Sequence, residues 1–151
     1  MNAVDLLAEF ARRAGAAGLA FNEAGLARIE VDGATIIDLE EEAAVGQLHL
    51  YCSLGTAPAS GREAYFEHLL TLNLFCRRTL GATLALDGRT QEVLLCRVLQ
   101  LDATDYVSFE TALTQLVDAV AAVHQALAGD GGATKSSVPP DDASHWTMLR
   151  G

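Results

Sequence analysis

Two apolar stripes run along residues 62–80, and a small chain has difficulty burying both. Read as a helix, this stretch puts Tyr65, Leu69, Leu72 and Cys76 on one side, at spacings of four, three and four. Phe66, Leu70, Leu74 and Phe75 fall roughly on another side. A helix lying on one sheet needs a single apolar stripe. Two stripes need cover on two sides, and a chain of 151 residues makes one domain with one core. A partner subunit supplies the second cover, most commonly as a two-fold homodimer. A sheet that curls around the helix is the alternative.

The rest of the chain supplies the sheet. A first helix is expected over Ala3–Ala14, with Leu6, Leu7, Phe10 and Ala14 inward, Asn2 as N-cap and Gly15 or Gly18 ending it. Leu26–Val31 alternates, with Ala27, Ile29 and Val31 on one face. Asp32-Gly33 is a hairpin signal that needs positive φ. Thr35–Glu40 returns, and Gln47–Leu54 is a third strand. Ser60-Gly61-Arg62-Glu63 reads as a capping box for the second helix, which Gly81 closes after Leu80. Thr83–Leu86, an Asp87-Gly88 turn, a strand Glu92–Leu101 and a helix from Asp105 to Leu127 complete the order. The expected class is α+β, an antiparallel sheet with helices packed on it in the order α-β-β-β-α-β-β-α. This domain spans residues 1–128. From Gly129 the chain turns polar and rich in turn formers, so 129–151 is expected to be a flexible tail with an apolar end around Trp146.

Charge and motifs exclude most chemistry. Ten Lys and Arg stand against 20 Asp and Glu, a net charge of −10. Nucleic acid and anionic membranes both call for a positive surface. A basic or polar protein segment fits better. No apolar run approaches the roughly 20 residues of a membrane span, and the N-terminus lacks a signal-peptide pattern, so a cytoplasmic protein is expected. Cys52, Cys76 and Cys96 are odd in number and sit in apolar runs, which reads as reduced core thiols. No phosphate loop or GxSxG motif occurs, and no His has metal-ligand spacing. His49 and Cys52 point to opposite faces of a strand, so they make no nucleophile pair. Glu40-Glu41-Glu42 reads as a solvated turn. No enzyme activity, metal or cofactor is expected.

The run Leu72-Asn73-Leu74-Phe75-Cys76-Arg77-Arg78-Thr79-Leu80-Gly81-Ala82-Thr83-Leu84-Ala85-Leu86-Asp87, followed by Val93-Leu94-Leu95 and Leu99-Gln100-Leu101, resembles the Tir chaperone (CesT-like) family of class I type III secretion chaperones. The likeness covers about residues 3–128 and rests on a combined pattern rather than on a chemical signature. It implies a homodimer built on the second helix and the strand after it, with Phe66, Leu69, Leu70, Leu72, Phe75 and Leu84 as interface residues. It also implies that the protein binds the N-terminal region of a virulence effector in extended form, and keeps that effector soluble in the bacterial cytoplasm. Leu6, Phe10, Ile29, Val31, Leu48 and Leu50 are the candidate effector-binding residues, although for any one of them a core position is the first reading. The secretion ATPase is a further candidate partner. The competing reading is a generic, non-catalytic α+β interaction or regulatory module.

Overall fold

A computed structural model describes residues 1–129. The segment 130–151, including Trp146, lies outside the described residues. The three strand patterns fold as their alternation dictates. β1 (Leu26–Val31), β2 (Thr35–Glu42) and β3 (Gln47–Thr56) form a meander, and β5 (Glu92–Gln100) and β4 (Thr83–Leu86) extend it to an antiparallel sheet ordered β1-β2-β3-β5-β4. Asp32 and Gly33 do take positive φ, 54° and 67°, at the β1–β2 hairpin.

One face of the sheet carries the core. Ile29, Ile37, Leu39, Leu48, Leu50, Val93 and Leu95 are buried there against α1 (Ala3–Ala14) and α3 (Tyr106–Gly129). Phe109 is fully buried and meets Phe10 edge-on, ring centroids 6.2 Å apart. The two helices start as read: Asn2 Oδ1 accepts from Asp5 N–H, and Asp105 caps α3 by accepting from Ser108 N–H. On the opposite face alternation sends Arg28, Asp38, Glu40, Glu42 and His49 outward from β1–β3, together with the exposed Ile36 and, on β5, Val98. Arg28 donates to Asp38, and the His49 ring bonds Glu42.

Three expectations are corrected. Glu40-Glu41-Glu42 is strand rather than turn: Glu40 pairs with His49 and Glu42 with Gln47, since alternate carboxylates reach water on the open face. The capping box does not form; Gly61, at φ 67°, is the N-cap and makes no side-chain bond. The second helix, α2 (Arg62–Asn73), stops well short of Leu80 and gives way to a single 3-10 turn, Leu74–Cys76. Phe75 and Cys76 are left-handed, φ 56° and 51°, and Leu80 is too. Such backbone costs a non-glycine residue about 1–2 kcal/mol, and no glycine marks the exit in the sequence. Gly81, at φ 87°, lies further on, where a Cβ would stand 3.2 Å from the Arg97 guanidinium. Among the cysteines only Cys52 is buried; Cys76 and Cys96 are half-buried, and all three are free.

Candidate functional site

Two apolar surfaces stay uncovered. The first is the outer side of α2 and of the 3-10 turn that follows it. Leu69 and Leu72 turn inward and are buried, while Leu70, Leu74 and Phe75 are 70%, 62% and 72% exposed. The sheet therefore does not curl around this helix. Leu80 and, on β4, Leu86 are also exposed. Of the residues read as interface, Leu70 and Phe75 stand in the open, Phe66 is half-buried against Tyr65, and Leu69, Leu72 and Leu84 are core.

Asn73 fixes this surface to the sheet. Its Nδ2 donates to the Leu84 carbonyl at 2.9 Å, and its Oδ1 accepts the Leu84 N–H at 2.7 Å. The side chain thus satisfies both main-chain groups that β4 would otherwise offer outward at Leu84. An edge strand closed this way no longer templates another chain at that point. Asn73 belongs to the run that carries the family resemblance, but spacing alone assigns it no role.

The second surface is a groove of about 610 Å³ between α1, the loop after it and β1. Phe10, Ala14, Leu19 and Val31 line it over the buried Ile29, with Arg28, Glu30 and Asp32 also on its wall, and Ala16, Ala17 and Gly18 contribute almost no side chain. β1 is the other outer strand of the sheet. Asn22 occupies its Leu26 end by accepting the Leu26 N–H, while no strand pairs with the outer edge of Ala27–Val31 among the described residues. Of the six residues nominated for effector binding, the structure brings Phe10, Ile29 and Val31 together here. Leu6, Leu48 and Leu50 are fully buried behind them. Leu19 was missed; a lone leucine between Gly18 and Ala20 carries no periodic signal.

The chemistry of titratable groups is quiet. Burial pushes the Cys52 and Cys96 thiols up, away from the reactive thiolate. No group of three His, Cys, Asp or Glu side chains suited to a metal occurs among the described residues, and no described helix is long and apolar enough to cross a membrane.

The family model for the Tir chaperone protein (CesT) family matches residues 5–124. No curated protein matches in sequence. Among solved structures, a chain of the ExsC–ExsE complex is 25% identical, with a TM-score of 0.66, covering 84% of this chain and 96% of that one. A chain of the complex between the Yersinia pestis type III secretion chaperone SycH and a stable fragment of YscM2 is also 25% identical, with a TM-score of 0.59, covering 78% and 96%. YbjN from E. coli is 14% identical, with a TM-score of 0.60, covering 83% and 91%; at that identity the likeness speaks for the fold alone.

Proposed function

Since the chain belongs to the Tir chaperone (CesT) family, we propose that it is a type III secretion chaperone that binds the N-terminal chaperone-binding region of an effector in extended form. The effector stays soluble and competent for secretion, and the chaperone performs no catalysis and works in the bacterial cytoplasm. The observation that carries this reading is the pairing of an open strand edge, Ala27–Val31, with the apolar groove of Phe10, Leu19, Ile29 and Val31 beside it. Main-chain bonds along the edge tolerate many sequences, and the groove selects an apolar anchor and so fixes register.

Magnitudes argue for more than one such groove. Ordering a residue of the client costs about 1–2 kcal/mol of backbone entropy. One buried leucine-sized anchor returns about 1.5–3 kcal/mol. A segment of some length needs several anchors, and a homodimer doubles the grooves that one segment can wrap across. The open side of α2 and the 3-10 turn after it, with Leu70 and Phe75 at its centre and Phe66 at its margin, is the surface that supports such a dimer. Leu69, Leu72 and Leu84 lie behind it and hold its shape.

Light scattering after size exclusion tests this, with the protein expressed alone and together with the product of a neighbouring reading frame. The expected result is a particle near twice the 16.0 kDa chain mass that captures the neighbour's N-terminal segment and protects it from protease over a long stretch. A monomer that captures nothing overturns the reading. Mixing the complex with the secretion ATPase tests the further partner.

A further inference from the structure

The uncovered side of α2 and its 3-10 turn is charged unevenly from end to end. Glu63 and Glu67 stand exposed on the first half of the helix. Leu70 and Leu74 follow at the spacing that shares a helix side, and both are exposed. At the far end the Arg77 guanidinium rests 5.7 Å from the centre of the Phe75 ring, and Arg78, next in the chain, is exposed. None of these four charges joins an ion pair among the described residues. The pairs formed there join Arg12 and Arg13 to Glu9, Arg28 to Asp38 and His49 to Glu42. One more cation, Arg62, lies at the first end, 4.9 Å from the centre of the Phe66 ring. Its donors are engaged by its own chain, at the Pro58 carbonyl and Gln91 Oε1. The first end therefore holds two carboxylates against one engaged cation, and the far end holds two guanidinium groups that no described carboxylate neutralises.

A surface that is negative at one end, apolar in the middle and positive at the other is complementary to a copy of itself turned end for end. We propose that the occupant is a second copy of this chain whose α2 runs antiparallel, with Leu70 near the two-fold axis and Glu63 of each copy facing Arg77 of the other. Seven residues separate Glu63 from Leu70, and seven separate Leu70 from Arg77, so the two charges flank the apolar centre on opposite sides. Parallel helices would set Glu63 against Glu63 and Arg77 against Arg77, and like charges across an interface repel. A client helix of one charge sign satisfies one end of this surface and is repelled at the other, whereas a turned second copy satisfies both. The unpaired arginines also stand out against the composition. In a chain with 20 acidic residues against 10 basic ones, an arginine has no shortage of carboxylates, yet Arg77 reaches none in the single chain. This inference rests on the dimer reading above and adds to it the direction in which the two copies meet.

Sedimentation equilibrium of the full chain measures the dimer dissociation constant for the wild type, Glu63→Arg, Arg77→Glu and the double variant Glu63→Arg/Arg77→Glu. Both side chains are exposed, so the variants keep the fold, which circular dichroism checks. Each single change creates two like-charged pairs across the two-fold axis, and is expected to weaken the dimer about tenfold at low salt. The double variant exchanges the signs and is expected to return to within about threefold of the wild type. Raising salt to about 0.5 M should remove most of the difference between single variants and wild type, since exposed charges are screened. Single variants that dimerise like the wild type, or a double variant as weak as the two single changes combined, overturn the antiparallel direction and leave the dimer reading standing. A wild-type chain that stays monomeric throughout overturns both.

Discussion

Replacing Asn73 with alanine tests the attachment of α2 to the sheet. The change removes both bonds to Leu84. Each contributes about 0.5–1.5 kcal/mol net, so their loss costs about 1–3 kcal/mol. Alanine is the better helix former by about 0.6 kcal/mol, which offsets part of this at the last residue of α2. Water reaches the strand edge and re-solvates the freed Leu84 groups in part, so no full desolvation penalty is added. The expected net loss is about 1–2 kcal/mol. Asn73→Asp goes further, because it keeps an acceptor, loses the donor and sets a carboxylate against the Leu84 carbonyl. Urea unfolding at one fixed protein concentration measures both, since a dimer's stability depends on concentration. Amide exchange at Leu84 localises the effect. An Asn73→Ala protein within about 0.3 kcal/mol of wild type, or an Asn73→Asp protein as stable as wild type, refutes the reasoning.

Leu70→Asp with Phe75→Asp is expected to reduce the particle from twice the chain mass to 16.0 kDa with an unchanged circular dichroism spectrum, because both side chains are already exposed in the single chain; light scattering reads the outcome. Phe109→Ala should cost about 3–5 kcal/mol in urea unfolding, since the ring is fully buried against Phe10 and Tyr106, and a loss below about 1 kcal/mol contradicts that placement. Hydrogen bonds from Arg12 and Arg13 hold the Glu9 carboxyl down at about 2, against an ordinary 4.5. A group depressed in the folded state stabilises above its unfolded pKa, and that contribution fades as pH falls from 4.5 towards 2. Glu9→Gln should therefore approach wild-type stability across that window. The effect is small, because the Arg side chains are exposed and salt-screened; a pH-independent difference contradicts it.

Much of the fold is legible because strand alternation is a strict rule. Ile29, Leu39, Leu48 and Leu50 fall on the core face from period two alone. The α2 terminus is not legible, since Leu74, Phe75 and Cys76 continue the apolar period while the backbone leaves it through left-handed residues that are not glycine. Depth is illegible for a related reason. Leu6 and Phe10 share one stripe of α1, yet Leu6 sits at the centre of the core and Phe10 at the rim of the groove. Periodicity gives the direction of a side chain, and only the distance to the edge of the sheet separates floor from wall.

The closed edge at Leu84 sets what the sheet can do in a crowded cell. Runaway growth of sheets end to end requires each copy to present two sticky ends, just as a monomer must be bifunctional to polymerise. A single chain whose β4 is held at Leu84 by Asn73 keeps one open strand edge, Ala27–Val31, so the proposed dimer carries two. A bound segment on each of those two edges leaves no open edge of β1 to recruit the next particle. Client binding and protection against edge-to-edge growth are therefore the same event.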